Sequence, residues 1–476
     1  MIGRVTMTVI MLLFAVDSSA QSLAERLRPL MNQGLAQRSN SSLMVVDVES
    51  GEVVASENPN RKVIPASNLK LVTTAAALNL LGADYEFKTS LLIRGEVSAG
   101  TLNGDVLVRG GGDPSLGERF YEDGGVQALE ELAIALRREG VERITGDLII
   151  EYGFFDEEWV HPSWPVDQLV FWYEAPISSP AVQEGTVLVR VTPGAPGEPG
   201  NVELKPPNSF VTIENSSVTR RRGRGVFIGR QPGTNTIIVR GNVRPGGGPT
   251  EVPVTVKYPV EYFANVFERI LRSNGIELSS DPVIRPRDLR FDWRVIETID
   301  SPLAVAIYVV NKQSQNHYAE QLLKTIGAET EDEGTWTAGA RAIEKWMTSV
   351  VGVDPESISI VDGSGMSREN RISAKAFTDL LLYMWNDGSR AIFVSSLPYS
   401  GERSSKLRRR MNREPYSRNV FAKTGYIAKV VGLSGYVKAT SGKVYAFSLL
   451  FNDFPTWTGP MYQLQNSILE TVVDHG

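Results

Sequence analysis

The chain has 476 residues, of which 42% are hydrophobic and 22% charged, and a formal net charge of −6. That length allows two or three domains with sizeable cores, and the composition excludes disordered and collagen-like chains. Cysteine is absent and the histidines are only His161, His317 and His475, so disulfides, thiolate chemistry and a histidine-cysteine zinc site are excluded, and no cofactor or metal is expected.

Taken in chain order, the first signal is Arg4 followed by the apolar run Val5 to Val16 and the small residues Ser18-Ser19-Ala20. This is the three-part pattern of a secretory signal peptide over residues 1–20, with an uncleaved anchor as the alternative. The run falls short of the roughly 20 apolar residues of a membrane span. Periplasmic localisation and at most peripheral membrane association are expected. Ser42 to Glu49 reads as a strand, Ser50-Gly51 as a turn and Glu52 to Ala55 as the hairpin partner. Pro65-Ala66-Ser67-Asn68-Leu69-Lys70 then opens a helix predicted over Leu71 to Leu81, with Gly82 as its cap.

From Tyr85 to Val283 short β-rich runs dominate. Gly104 to Val108 and Gly146 to Ile150 echo each other. Pro193 to Pro207 and Pro245 to Pro253 read as loops, and Pro259 to Asn274 as an amphipathic helix. Helices return at Leu303 to Val310, Asn316 to Ile326, Thr337 to Val350 and Ala374 to Trp385. Gly432 to Lys438 and Lys443 to Phe451 form an antiparallel pair before a last helix, Met461 to Val473. Arg408-Arg409-Arg410 is a single basic cluster, read as a solvated helix face or a salt-bridge partner. With no basic stripe interleaved with aromatics, no nucleic-acid partner is expected.

Three short motifs can carry chemistry. In Ser67-x-x-Lys70 the spacing places both side chains on one helical face, so the lysine can reach the hydroxyl. Ser314-Gln315-Asn316 sits at a helix junction, where a hydroxyl can relay a proton and an amide can hold a carbonyl. Lys423-Thr424-Gly425 precedes the antiparallel pair and is therefore expected on a strand edge. A lysine and a hydroxyl there suit a carboxylate, and the glycine admits close approach of a substrate backbone. Each occurs readily by chance. The order of all three is specific.

That set resembles the penicillin-binding proteins and class A β-lactamases. The long insertion between Lys70 and Ser314 narrows the likeness to the D-alanyl-D-alanine carboxypeptidase/endopeptidase family, the low-molecular-mass class C penicillin-binding proteins of the penicillin-binding protein 4 type. Gly111 to Leu116, Gly146-Asp147-Leu148, Trp172 to Ser178 and Asp362 to Arg368 add to it. The resemblance implies an α+β multidomain fold: a split transpeptidase-like domain of antiparallel sheet and helices (residues 21–90 and 290–476) carrying a β-rich insertion (91–289). It implies Ser67 as nucleophile, Lys70 as general base, and Ser314 and Lys423 as a proton path to the leaving amine. Asn316, Thr424, Gly425 and Tyr426 would bind substrate, and the backbone N–H groups of Ser67 and Tyr426 would form an oxyanion hole. Peptidoglycan peptides would be substrates and β-lactams inhibitors; a catalytically weak binder of either is the alternative, and a β-lactamase the poorer third. The sequence departs from the family at Tyr426, where Thr or Ser is usual, at Gln315, where Asp is common, and at Leu397 to Gly401. His317 is read as having no catalytic part, and Asp113 and Asp362 as turn formers. Trp159, Trp164 and Trp172 read either as packing of the insertion or as a groove lining.

Overall fold

The computed structural model describes residues 21–121, 125–287 and 292–476. The expected signal peptide lies outside them. Among the described residues helices and several sheets are mixed. The sheet that positions the chemistry has five antiparallel strands, in the order Val420–Ile427, Val430–Lys438, Val444–Asn452, Asn40–Asp47, Val53–Glu57. Strands more than 370 residues apart in sequence therefore pair, as in Leu43 with Leu449.

Both faces of this sheet are covered, and the period of two divides its side chains between them. Leu43, Val45, Leu433, Phe447 and Leu449 pack on the terminal helices Leu23–Asn32 and Thr458–His475. Tyr436, Ala446 and Leu450 face the other way, into a core with the helices Lys70–Leu80 and Ala374–Asn386. The first strand ends two residues before its expected limit because Asp47 Oδ1 accepts from the N–H groups of Glu49 (2.9 Å) and Ser50 (3.1 Å), starting the turn early.

Among the described residues, the region between 86 and 302 holds a seven-stranded sheet and two of three strands. The two echoing segments lie side by side in parallel, with Val106 opposite Leu148 and Val108 opposite Ile150. Two helices, Val126–Arg138 and Pro259–Ser273, share the apolar core of this region. The first was not anticipated. The two expected loops also carry strands, Asn201–Lys205 and Thr250–Thr255. Pro253 is tolerated because its strand is an outer one of its sheet, where a missing donor costs no ladder bond. The outgoing strand Glu86–Ser98 pairs with the returning Arg294–Pro302, Phe87 opposite Ser301. The chain thus leaves and re-enters on adjacent antiparallel strands, and residue 90 falls inside the outgoing one.

Leu303–Tyr308 continues as a π turn through Val309–Gln313 and stops at Ser314, whose φ of 62° is left-handed; Asn316–Glu331 begins two residues later. Arg408 to Arg410 lie in turns, not on a helix. Arg410 is buried, donating to Asn466 Oδ1 (2.9 Å) and Gln465 Oε1 (3.1 Å).

Candidate active site

Ser67 stands on a 3₁₀ turn, Ala66–Leu69, that runs directly into the helix Lys70–Leu80. Nearly every position of that helix is buried, as expected of a helix apolar all round, and Lys70 is its first residue. Ala66 has a left-handed φ of 48°, an unfavourable conformation of about 1–3 kcal/mol that sets the serine's approach.

Lys70 Nζ donates to Ser67 Oγ (3.1 Å), Asn316 Oδ1 (2.7 Å) and the Ser364 carbonyl (2.7 Å). Burial pushes the lysine down to about 7, against the pull of the Glu320 and Asp362 carboxylates in the other direction. Near neutrality a large share of the amine is therefore uncharged, with a lone pair beside the serine hydroxyl. A lysine in ordinary solvent could not offer that.

Asn316 is held in the matching orientation. Its Nδ2 donates to the Tyr173 carbonyl (2.7 Å), which turns Oδ1 to the lysine. Lys423 Nζ donates to Ser314 Oγ (2.7 Å) and the Thr424 carbonyl (3.1 Å). Lys423 is buried, and burial first, then Lys70 and Lys406, push it well below the usual lysine range. All three motifs thus meet at one place, through two hydrogen-bonded pairs.

Lys423-Thr424-Gly425 lies on the strand Val420–Ile427 at the sheet's edge. The Ala422 N–H points off that edge to the Pro398 carbonyl (2.8 Å). By the alternation of a strand, the N–H groups of Thr424 and Tyr426 point the same way, out of the ladder. The Ser67 N–H belongs to a first helical turn and has no intrahelical acceptor. The N–H groups of Ser67, Thr424 and Tyr426 are thus left outside helix and ladder, where the edge strand meets the serine's turn. Tyr426 itself is 57% exposed.

The reason for Gly425 differs from the one read in the sequence. A Cβ there would sit 2.4 Å from Asn68 Nδ2 and 2.8 Å from the Pro65 carbonyl, so the close neighbour is the serine's own turn. Gly432, opposite Gly425 in the ladder, is constrained by the same Asn68 atom at 2.4 Å. Two facing glycines let the edge strand lie against the nucleophile turn.

Sequence reasoning missed Glu320 as a support, whereas Asp362 has the turn-forming role expected of it. Glu320 is buried and accepts from Trp336 Nε1 (2.8 Å) and the N–H groups of Gly363 (2.9 Å) and Ser364 (2.8 Å). Burial, then Asp362, raise it above the carboxylate range. Asp362 accepts from the N–H groups of Gly365 (2.9 Å) and Ser367 (2.6 Å), Asn370 Nδ2 (2.8 Å) and Trp164 Nε1 (3.0 Å). It shapes the loop that offers the Ser364 carbonyl to Lys70. Trp164 therefore locks the long middle segment to this loop, while Trp172 is 41% exposed. Asp113 has the turn role expected of it, accepting from the Ser115 N–H (2.8 Å) and from Ser301 Oγ (2.7 Å). His317 is buried, without a hydrogen-bond partner among the described residues, and burial and Arg119 push it down to about 3. No hydrogen bond joins it to Ser67, Lys70, Ser314 or Lys423 among the described residues. A cavity of about 930 Å³ lined by Tyr85, Lys88, Arg109 and Glu151 contains none of them either.

Known proteins match this chain along nearly its whole length. The profile of the D-Ala-D-Ala carboxypeptidase 3 (S13) family matches residues 23–467. The D-alanyl-D-alanine carboxypeptidase of Actinomadura sp. (strain R39) is 33% identical over 434 residues, 87% of this chain and 77% of that protein. The D-alanyl-D-alanine carboxypeptidase DacB of Haemophilus influenzae is 23% identical over 436 residues, 90% of this chain and 88% of that one. The crystal structure of penicillin binding protein 4 from the same organism superposes with a TM-score of 0.78 at 21% identity, covering 94% of this chain and 99% of that one. A second structure of it, complexed with a β-lactam, gives 0.74 at 20% identity, covering 95% and 99%.

Proposed function

The chain belongs to the D-Ala-D-Ala carboxypeptidase 3 (S13) family, and from that premise we propose that it is a penicillin-sensitive serine enzyme. It cuts the D-alanyl-D-alanine bond of peptidoglycan stem peptides, and D-alanyl cross-links, through an acyl-enzyme. The observation that carries this reading is the hydrogen bond of Lys70 Nζ to Ser67 Oγ, 3.1 Å, with the lysine drawn down to about 7.

In the reading, neutral Lys70 takes the Ser67 proton as Oγ bonds to the carbonyl carbon. The N–H groups of Ser67 and Tyr426 hold the oxyanion, a contribution of about 3 kcal/mol per donor. Ser314 and Lys423 pass a proton to the leaving amine as the C–N bond breaks. Water then attacks the ester, and Ser67 recovers its proton. Asn316 orients the substrate amide, and Lys423 with Thr424 faces the terminal carboxylate, with Gly425 keeping the strand close. Lys423 forms no ion pair with a carboxylate among the described residues, which leaves its amine free to face an anionic chain end.

The split domain of residues 21–90 and 290–476 with its insertion 91–289 belongs to this proposal, its edges best drawn where Glu86–Ser98 begins and Arg294–Pro302 ends. Export to the periplasm rests on the pattern of residues 1–20; among the described residues no helix is long and apolar enough to cross a membrane.

A second reading, a weak binder of the same peptides, draws support from the exposed Tyr426 ring beside the carboxylate position. Intact mass after incubation with benzylpenicillin separates the two. One stoichiometric adduct, lost in Ser67→Ala, is expected of the enzyme. No adduct on folded wild type favours the binder.

A further inference from the structure

On the Ser314–Lys423 side of the nucleophile lies a second cleft of about 700 Å³. Among the described residues six cations line it, Arg119, Lys312, Arg403, Lys406, Arg408 and Arg409, and no acidic side chain does. Arg119 is paired with Glu184, and Lys312 with Glu402 at 3.2 Å. The other four are exposed, and no ion pair among the described residues joins them to a carboxylate. A cleft lined by one sign of charge concentrates ligands of the opposite sign.

The cleft is built. Its four free cations stand on the irregular segment between the helix Arg390–Ser396 and the edge strand Val420–Ile427. Leu407 and Arg410 root that segment in the interior, Arg410 through its bonds to Asn466 and Gln465. It is also continuous with the chemistry. Gln313, which lines it, precedes Ser314, and Lys406 is close enough to Lys423 to help lower its proton affinity.

These positions have a direction. If Ser314 and Lys423 protonate the leaving amine, whatever is attached to that amine emerges into this cleft. A single D-alanine has one carboxylate, which the Lys423–Thr424 edge already meets, and fills little of such a volume. A cross-linked substrate instead releases a second peptide, joined through a side-chain amine and still carrying its own backbone carboxylates. Guanidinium groups are suited to those by their bidentate geometry.

We propose that this basic cleft binds the acidic leaving chain of a cross-linked peptide, with Arg403, Arg408 and Arg409 as its carboxylate contacts. The proposal rests on the serine-enzyme reading above. It makes the cleft a determinant of preference for cross-linked over uncross-linked peptides.

The test compares wild type with Arg403→Glu/Arg409→Glu, both positions exposed, on a D-alanyl-cross-linked muropeptide dimer and on the pentapeptide monomer. Benzylpenicillin acylation is measured alongside. The expected result is a KM for the dimer raised about tenfold with kcat little changed, as for loss and reversal of two charge contacts. Monomer turnover and acylation stay within about twofold, and added salt raises the wild-type KM for the dimer alone. Equal losses on dimer and monomer, or an unaltered dimer KM, overturn the proposal. A wild type that neither acylates nor cleaves monomer overturns the serine-enzyme reading, and the proposal with it.

Discussion

Lys70 and Asn316 are joined by a 2.7 Å hydrogen bond across 246 residues of sequence. The amide oxygen holds the amine without adding charge, and the amide nitrogen is fixed on the Tyr173 carbonyl (2.7 Å). A carboxylate in the same place would favour the charged lysine. Asn316→Asp is therefore expected to raise the Lys70 pKa and move the pH profile of benzylpenicillin acylation about one unit to the alkaline side, a loss of about fivefold at pH 7 and about tenfold well below it. Asn316→Ala should lower the plateau and leave the midpoint nearer its wild-type position. Stopped-flow acylation rates from pH 5 to pH 10, buffered at constant ionic strength, check both; an unmoved midpoint in the aspartate variant contradicts the argument.

The wild-type profile follows from the same group. Lys70 is pushed down to about 7 by burial, and its base form must be present for acylation. The rate constant should rise about tenfold per unit at low pH and level off above about 7. A rise continuing to pH 10 would mean that the lysine keeps its solvent value and that another group takes the serine proton.

What was legible in the sequence is what acts locally. The i, i+3 relation of Ser67 and Lys70, the helix behind them and the strand position of Lys423 follow from spacing and from the hydrophobic pattern. The buried carboxylates of Glu320 and Asp362 were not legible as supports of Lys70, because their contacts exist only once the Asp362–Asn370 loop packs on the helix Asn316–Glu331. The Tyr173 carbonyl is a backbone atom and leaves no side-chain trace. Some signals were present but unread. Ser22 and Glu25 form a capping box at the start of Leu23–Asn32, and Leu129, Leu132, Ala133 and Leu136 give Val126–Arg138 a helical stripe within a β-rich region.

The contact between the edge strand and the nucleophile turn predicts a steric effect. In Gly425→Ala the new methyl would overlap Asn68 Nδ2 and the Pro65 carbonyl. Overpacking of this kind costs about 1–3 kcal/mol, and it pushes the strand, with its outward Tyr426 N–H, away from Ser67. Acylation should fall on the order of a hundredfold, the magnitude of losing one oxyanion donor. Asn68 side-chain atoms have no hydrogen-bond partner among the described residues, so Asn68→Ala gives up no hydrogen bond to them. The double variant should recover part of the lost stability and rate, and a thermal-melt and acylation double-mutant cycle measures the coupling. Additive losses would mean that the two positions do not press on each other.

Tyr426 gives the last prediction, because its backbone and side chain have separable parts. The outward N–H persists in any substitution except proline, so Tyr426→Thr should leave benzylpenicillin acylation within about twofold. The ring is 57% exposed, and replacing an exposed side chain changes stability by about 0.5 kcal/mol or less. The threonine hydroxyl would stand beside Thr424 and Lys423, where it adds a donor for a terminal carboxylate. One hydrogen bond to a charged group contributes about 1.5–3 kcal/mol, so KM for a D-alanyl-D-alanine peptide should fall about tenfold or more. Steady-state kinetics on that peptide, with kcat and KM resolved, decide the matter. Unchanged KM would show that the ring costs the enzyme nothing in carboxylate recognition and that Lys423 with Thr424 suffices.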